Sequence, residues 1–431
     1  MVTSTIRVGE VVEVTVRAVA SGGAGVADLP DGRVAFVQRT APGDRARVRV
    51  SVSKSTWAKA TLVELLEAGV GRRTPPCPYY EHCGGCTLEH LEYSEQLRWK
   101  GRMVADALGR IGGVAIEAPV VEPSPRELRY RNRVTFTLRR LKGGRVLAGF
   151  HELDEPDRLV DLTGACLLFE EAIAQAWDGL RAAWGEGAER LPEGPRLRLT
   201  LRSVTEGVVL LIDGGNGTWT PDVLLGSVPG LVAIWHQESG ANTPILMAGD
   251  PRAHELWLGE AIRPGARAFL QVNKEAAERL HAAVIAAVGS ADGRTVVDGY
   301  CGVGVYGRTL ARAGASVTGI ELDREAAAAA REGAPSTFRV IEGTVEGRIR
   351  DALPADLVIM NPPRTGLHED VVRALVADPG VTRLVYVSCD PATLARDVKR
   401  LEGYRVASVQ VFDLFPQTAH VETLAVLERA P

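Results

Sequence analysis

The chain has 431 residues, with 50 Lys and Arg against 54 Asp and Glu for a formal net charge of −4, and 45% of its residues are hydrophobic. That balance excludes a disordered or fibrous chain. At roughly 100 to 200 residues per domain it asks for two or three domains, each large enough to bury a core.

The opening MVTSTIRVGE has no apolar stretch of the kind a signal peptide carries. No run approaches the ~18 to 20 apolar residues needed to span a bilayer. A cytoplasmic location is the expectation, and in a reduced compartment six cysteines point to metal binding or catalysis rather than to a disulfide framework.

From Val8 to about Leu66 apolar residues alternate, as in VVEVTVRAV and ARVRVSV, with SGGAG, DLPDGR and APGD as turns. The period of two predicts a small five-stranded barrel. Arg39–Lys59, inside it, is net +5. RRTPPCP then leads to Cys77, Cys83 and Cys86, and an amphipathic helix is predicted over 94–111. Four thiolates, with Cys166 of TGACLL as the fourth, suit either a tetrahedral zinc or an iron-sulfur cluster, and His82 and His90 leave open a zinc site of three cysteines and one histidine. Arg126–Arg145 is net +7. With Tyr130, Phe136 and Trp57 as stacking surfaces, the two basic stretches point to single-stranded or flexible RNA, with Arg129, Arg131 and Arg133 as contacts. Residues 120–232 read as a separate mixed sheet with one helix over 170–184.

After Gly265 strands alternate with glycine loops and helices, which predicts a parallel doubly wound sheet. VVDGYCGVGVYG places Gly302, Gly304 and Gly307 at a helix start, with Glu321 closing the next strand where it could reach ribose hydroxyls. The spacing suits a dinucleotide and S-adenosylmethionine equally. NPPRTGL, from Asn361, follows the apolar run DLVIM. Cys389 follows LVYVS at a strand's carboxyl end, where open sheets bind ligands. Glu422 lies between apolar residues in a final strand, an expensive place for an unused carboxylate.

The barrel resembles the TRAM domain. Together with the cysteine cluster, RYRNRVTFTL, FLQVN, VVDGYCGVG, NPPRTGL, SCDPATLARD and FPQTAHVET, it makes the whole chain resemble the RNA 5-methyluridine methyltransferases. That resemblance implies an α/β fold: a Rossmann-like S-adenosylmethionine methyltransferase domain (251–431), an N-terminal OB-like barrel (1–68), and a central α+β cluster-bearing domain (69–250). The helix at 94–111 could pack on the catalytic domain. It implies Cys389 as nucleophile and Glu422 as base, with Gln271, Tyr300, Gly302, Glu321 and Asn361 around the S-adenosylmethionine. It also implies a 4Fe-4S cluster on Cys77, Cys83, Cys86 and Cys166, and 23S rRNA as substrate, with tRNA, or an RNA-binding assembly protein with a weakened site, as the alternatives.

Two departures stand out. Asn361 replaces the Asp of many members, and Asp390 replaces their Asn. The second adds a carboxylate beside the nucleophile, for which Arg364 or Arg396 would be the offsetting cation.

Overall fold

The computed structural model describes residues 6–164, 166–263 and 268–430. β1 (Val11–Val19), β2 (Gly25–Asp28), β3 (Val34–Val37), β4 (Arg45–Ser53) and β5 (Trp57–Glu67) form a closed barrel in the order β1-β2-β3-β5-β4. Alternation drives the closure: Val14, Val16, Val48, Val50, Ala58 and Ala60 fill one interior. The outward cations of β4 face acids on both flanks, Arg45 pairing with Glu13 and Arg47 with Glu64. Much of the barrel's positive charge is therefore answered within the barrel.

Helix α1 (Tyr93–Ala107) runs on into a π-helical turn at Leu108–Gly112. It buries Val104, Ala107 and Leu108 among Leu394, Ala395 and Val398 of the C-terminal half. A Cβ at Gly101 would stand 2.3 Å from the Pro119 carbonyl oxygen, so the close return of the chain needs glycine there. β6 (Val121–Glu122) then pairs in parallel with a strand near the C-terminus.

β7 (Arg133–Arg140), β8 (Val146–Glu152), β9 (Glu155–Asp161), β10 (Arg196–Val204), β11 (Gly207–Asp213), β12 (Leu231–Gln237) and β13 (Ile245–Gly249) make a seven-stranded mixed sheet in the order β13-β12-β11-β10-β7-β8-β9. α2 (Glu171–Ala183) and α3 (Pro221–Ser227) pack on it, and Phe136 stacks on Trp177 with ring centroids 3.8 Å apart. A hairpin, β14 (Glu255–Trp257) and β15 (Glu260–Ile262), precedes the last layer. The expected change of pattern at Gly265 lies outside the described residues.

The last layer holds β16 (Thr295–Gly299), β17 (Ser316–Glu321), β18 (Phe338–Glu342), β19 (Leu357–Met360), β20 (Arg383–Ser388), β21 (Tyr404–Phe412) and β22 (Glu422–Arg429). With β6 they form one sheet in the order β18-β17-β16-β19-β20-β22-β21-β6. The first five are parallel and β22 runs against them. α4 (Lys274–Val288), α5 (Val305–Arg312) and α6 (Arg324–Arg331) cover one face. α7 (Val345–Ala352), α8 (Glu369–Ala377), α9 (Pro391–Arg400) and α1 cover the other. This is the doubly wound α/β architecture expected from the sequence. Strand order reverses between β16 and β19, which opens a crevice at their carboxyl ends.

Candidate active site

At that crevice the apolar strand β16 ends and the chain turns through Tyr300 at φ +62°, Gly302 at φ +56° and Gly304 at φ +80°. The glycines divide their work. A Cβ on Gly302 would meet nothing within 4 Å, so this position leaves the cavity open. Cβ atoms on Gly304 and Gly307 would fall 2.7 and 2.5 Å from the Phe338 ring, so these two let α5 press onto β18. At the end of β17, Glu321 accepts hydrogen bonds from the Gly302 N–H at 2.8 Å and the Asp323 N–H at 2.7 Å. Those bonds fix its carboxylate beside the glycine loop.

A cavity of about 980 Å³ opens here, lined by Gln271, Tyr300, Gly302, Glu321, Asn361, Cys389 and Glu422. All seven residues assigned from the sequence to catalysis or to the cofactor thus share one space. Sheet register accounts for the central pair. Ser388 of β20 pairs with Thr423 of antiparallel β22. The next residues out, Cys389 and Glu422, therefore meet at the same edge.

Burial pushes the Glu422 carboxyl up to about 8, and Arg364 pulls it the other way. Burial also raises the Cys389 thiol, with Glu422 and Asp390 raising it further and Arg364 lowering it. Arg364 lines the cavity, and its guanidinium lies 3.3 Å from Nε2 of His420, another cavity residue. It is the cation that offsets Glu422 and Asp390 at the Cys389 thiol. Arg396 is not: its guanidinium is held by the carboxylate of Asp397 and donates to the Thr365 carbonyl. Asp390 caps α9, accepting from the Thr393 N–H at 2.8 Å. Asp and Asn serve that position alike, which explains how the departure is tolerated.

A second cavity, of about 220 Å³, is lined by Cys77, Cys83, Cys86 and Cys166 together with Glu89 and Arg131. The four cysteines carry no disulfide. Among the described residues, no three His, Cys, Asp or Glu side chains stand close enough to hold a single metal ion. Nε of Arg131 and Oε2 of Glu89 are buried there without hydrogen-bond partners.

The three arginines expected as RNA contacts take different surroundings. Arg131 faces the cysteine cavity, and Arg133 donates to the Ala268 carbonyl at 3.1 Å. Arg140 is spent on the carbonyls of Gly187, Ala188 and Gly194. Of the three, Arg129 is the most exposed, at 47%, and it pairs with Glu171 at 3.0 Å. Counting charges shows how many cations a segment has, not which way they point.

The sequence reading passed over two further groups. Lys100 of α1 is buried against Asp413 at 2.6 Å and donates to the Phe415 carbonyl, while Gln417 is buried with φ +70°. For Gln417 the signal is the Gln of FPQTAHVET; for Lys100 it is the single lysine on α1.

Among the described residues no helix is long and apolar enough to cross a membrane. The TRAM domain family matches residues 6–63, and the tRNA (Uracil-5-)-methyltransferase family matches residues 346–430. The chain is 36% identical to an uncharacterized RNA methyltransferase of Gloeobacter violaceus, covering 98% of this chain and 97% of that one. It is 33% identical to the 23S rRNA (uracil(1939)-C(5))-methyltransferase of Acidithiobacillus ferrooxidans, covering 97% of each. Among solved structures, the Pyrococcus abyssi tRNA (uracil-54, C5)-methyltransferase in complex with S-adenosyl-L-homocysteine superposes with a TM-score of 0.75 at 28% identity, over 96% of this chain and 99% of that one. Fold, cavity and relatives agree, and the chain belongs to the RNA uracil-C5 methyltransferase family.

Proposed function

We propose that the chain converts uridine to 5-methyluridine in 23S rRNA, with Cys389 as nucleophile and Glu422 as base. C5 of uracil is too weak a nucleophile to take a methyl group unaided. Addition of the Cys389 thiolate to C6 makes C5 enolate-like. S-adenosylmethionine, the methyl donor, supplies an electrophilic methyl on a sulfonium. Gln271, Tyr300, Gly302, Glu321 and Asn361 form its side of the cavity, with Glu321 placed to take ribose hydroxyls. Once C5 carries both a hydrogen and the new methyl, Glu422 removes the proton, the C5–C6 double bond re-forms, and the thiolate leaves. Arg364 holds negative charge on whichever group carries it. The meeting of Cys389 and Glu422 at the β20–β22 edge, inside the cavity that contains Glu321, carries this reading.

The preference for 23S rRNA rests on relatives of 33% identity named for that substrate. The solved tRNA enzyme supports tRNA as a second reading. Mapping 5-methyluridine in both RNAs from cells with and without the gene separates them. The chemistry has its own test. Cys389→Ala should form no covalent RNA adduct and transfer no methyl group. Glu422→Gln should attack and methylate but stall before release, leaving a denaturation-resistant protein–RNA band that carries label from the donor methyl. Methylation by Cys389→Ala would refute the mechanism.

We also infer that Cys77, Cys83, Cys86 and Cys166 hold a 4Fe-4S cluster. Four cysteines lining one small cavity supply one thiolate for each iron of such a cluster. The unpaired Nε of Arg131 faces that cavity with positive charge. The cluster is assigned a structural role, and Arg129 is kept as an RNA contact.

A further inference from the structure

The loop Asp413–Val421 joins β21 to β22 and places Phe415 and His420 on the catalytic cavity, with His420 two residues before Glu422. Its own internal bonds are few: the Phe415 N–H donates to Asp413, the Thr418 N–H and hydroxyl donate to the Phe415 carbonyl, and the His420 N–H donates to the Thr418 hydroxyl. At its centre Gln417 sits at φ +70° with 0% exposure. A side chain longer than Asn rarely occupies that backbone region, and such strain persists only where surroundings enforce it.

The surroundings are all N-terminal. Oε1 of Gln417 accepts from Nε2 of Gln96 at 2.8 Å and from the Arg73 guanidinium at 2.7 Å. The Gln417 N–H donates to Oε1 of Gln96 at 2.9 Å, and its Nε2 donates to the Glu127 carbonyl at 3.3 Å. Its carbonyl accepts from the N–H groups of Thr87 and Leu88, at 3.1 and 3.0 Å. Flanking residues repeat the pattern: the Tyr130 hydroxyl donates to the Pro416 carbonyl, and the Ala419 N–H donates to the Thr87 hydroxyl. Every hydrogen-bonding group of Gln417 is thus engaged by residues 73–127. Thr87 directly follows Cys86, and Tyr130 directly precedes Arg131.

We propose that Gln417 is a positioning residue for methyl transfer, the tie through which the cysteine-bearing N-terminal segment sets the loop that carries Phe415 and His420 and aims Glu422 at the uracil. The inference rests on the roles assigned above to Cys389 and Glu422. A loop released from this tie would still leave β16 and β17 intact, so the methyl-donor side of the cavity should not change. The steps that need Phe415, His420 and Glu422 should fail.

The test uses the full chain and three variants. Gln417→Gly removes the side chain and also relieves the backbone strain, so any defect comes from lost hydrogen bonds. Gln417→Glu keeps the shape and the acceptors for Gln96 and Arg73. Gln96→Leu cuts the same tie from the other end and keeps the design decisive if Gln417→Gly fails to fold. Each is assayed for kcat on RNA, for KM, and for S-adenosylhomocysteine affinity by calorimetry. In Gln417→Gly and Gln96→Leu, kcat should fall by about a hundredfold, the cost of a ~1 Å misplacement, with S-adenosylhomocysteine affinity unchanged. Gln417→Glu should recover most of the rate. The Gln417→Gly, Gln96→Leu double variant should be no slower than the slower single one, since both break one connection. Unchanged kcat in either single variant, a parallel loss of S-adenosylhomocysteine affinity, or additive losses in the double variant would overturn the proposal. If Glu422→Gln, with Gln417 and Gln96 intact, forms no adduct, the catalytic reading has failed instead.

Discussion

In the proposed mechanism Glu422 has two jobs that conflict at neutral pH. It must enter an apolar edge as a neutral carboxyl and act as a carboxylate. Burial holds it up to about 8, so below that pH most of the free enzyme carries the acid rather than the base. Proton removal from C5 should therefore rise about tenfold per pH unit up to ~8 and then level off, measured as single-turnover release of methylated RNA. Glu422→Gln should be slow and flat across the range. Stability follows the opposite course. The unfolded chain ionises this group above its ordinary 4.5 while the folded chain keeps it protonated to about 8. The stability is full below 4.5 and is lost as pH rises through 8, so Glu422→Gln should gain on the parent in Tm at pH 9 and not at pH 4. The reactive residues were legible because each sits at a strand end with a type that is costly there: a cysteine before Asp-Pro, a carboxylate among apolar neighbours. The directions of Arg131 and Arg133 were not, because their spacing does not show that one lines the cysteine cavity and the other donates to the Ala268 carbonyl.

At the level of elements, periodicity located the barrel, the sheet and the helix over 94–111, whose last turn is π-helical and ends at Gly112. It could not reveal that Gln96 and Lys100 on that helix would meet residues more than 300 positions away. The cysteine-bearing segment 77–86 is likewise long-range in character. It is short of regular structure and is pinned to β8 by an isolated bridge between Cys83 and Glu152. A segment so built depends on whatever occupies its cavity. Anaerobically purified protein should be brown with about four irons per chain, the content of one cluster ligated by four cysteines, and Cys83→Ser should lose colour and Tm together. Zinc in place of iron would refute the cluster.

On the scale of the whole molecule, the catalytic sheet is not contained in the C-terminal half. β6 covers the free edge of β21, and α1 fills the face beside α9. A fragment cut at 251 exposes that strand edge together with the apolar surface of Leu394, Ala395 and Val398. It should aggregate on expression. Supplying residues 93–122 in trans should raise its soluble yield, read by size-exclusion chromatography; a soluble, monomeric 251–430 fragment would show the edge needs no cover.

The pairing of Val121 with Val411 also sets a clock. β6 leaves the ribosome about 290 residues before its partner, which is roughly 15 to 60 s of synthesis at ~5 to 20 residues per second. During that interval the barrel and the seven-stranded sheet can fold while the methyltransferase remains unfinished. The proposed base, Glu422, rides on β22, the last strand among the described residues. A nascent or prematurely stopped chain can therefore carry the barrel and the cysteine segment, and even Cys389, yet lack the group that completes turnover. On the proposed mechanism, attack and proton removal thus depend on strands made at different times, β20 before β22.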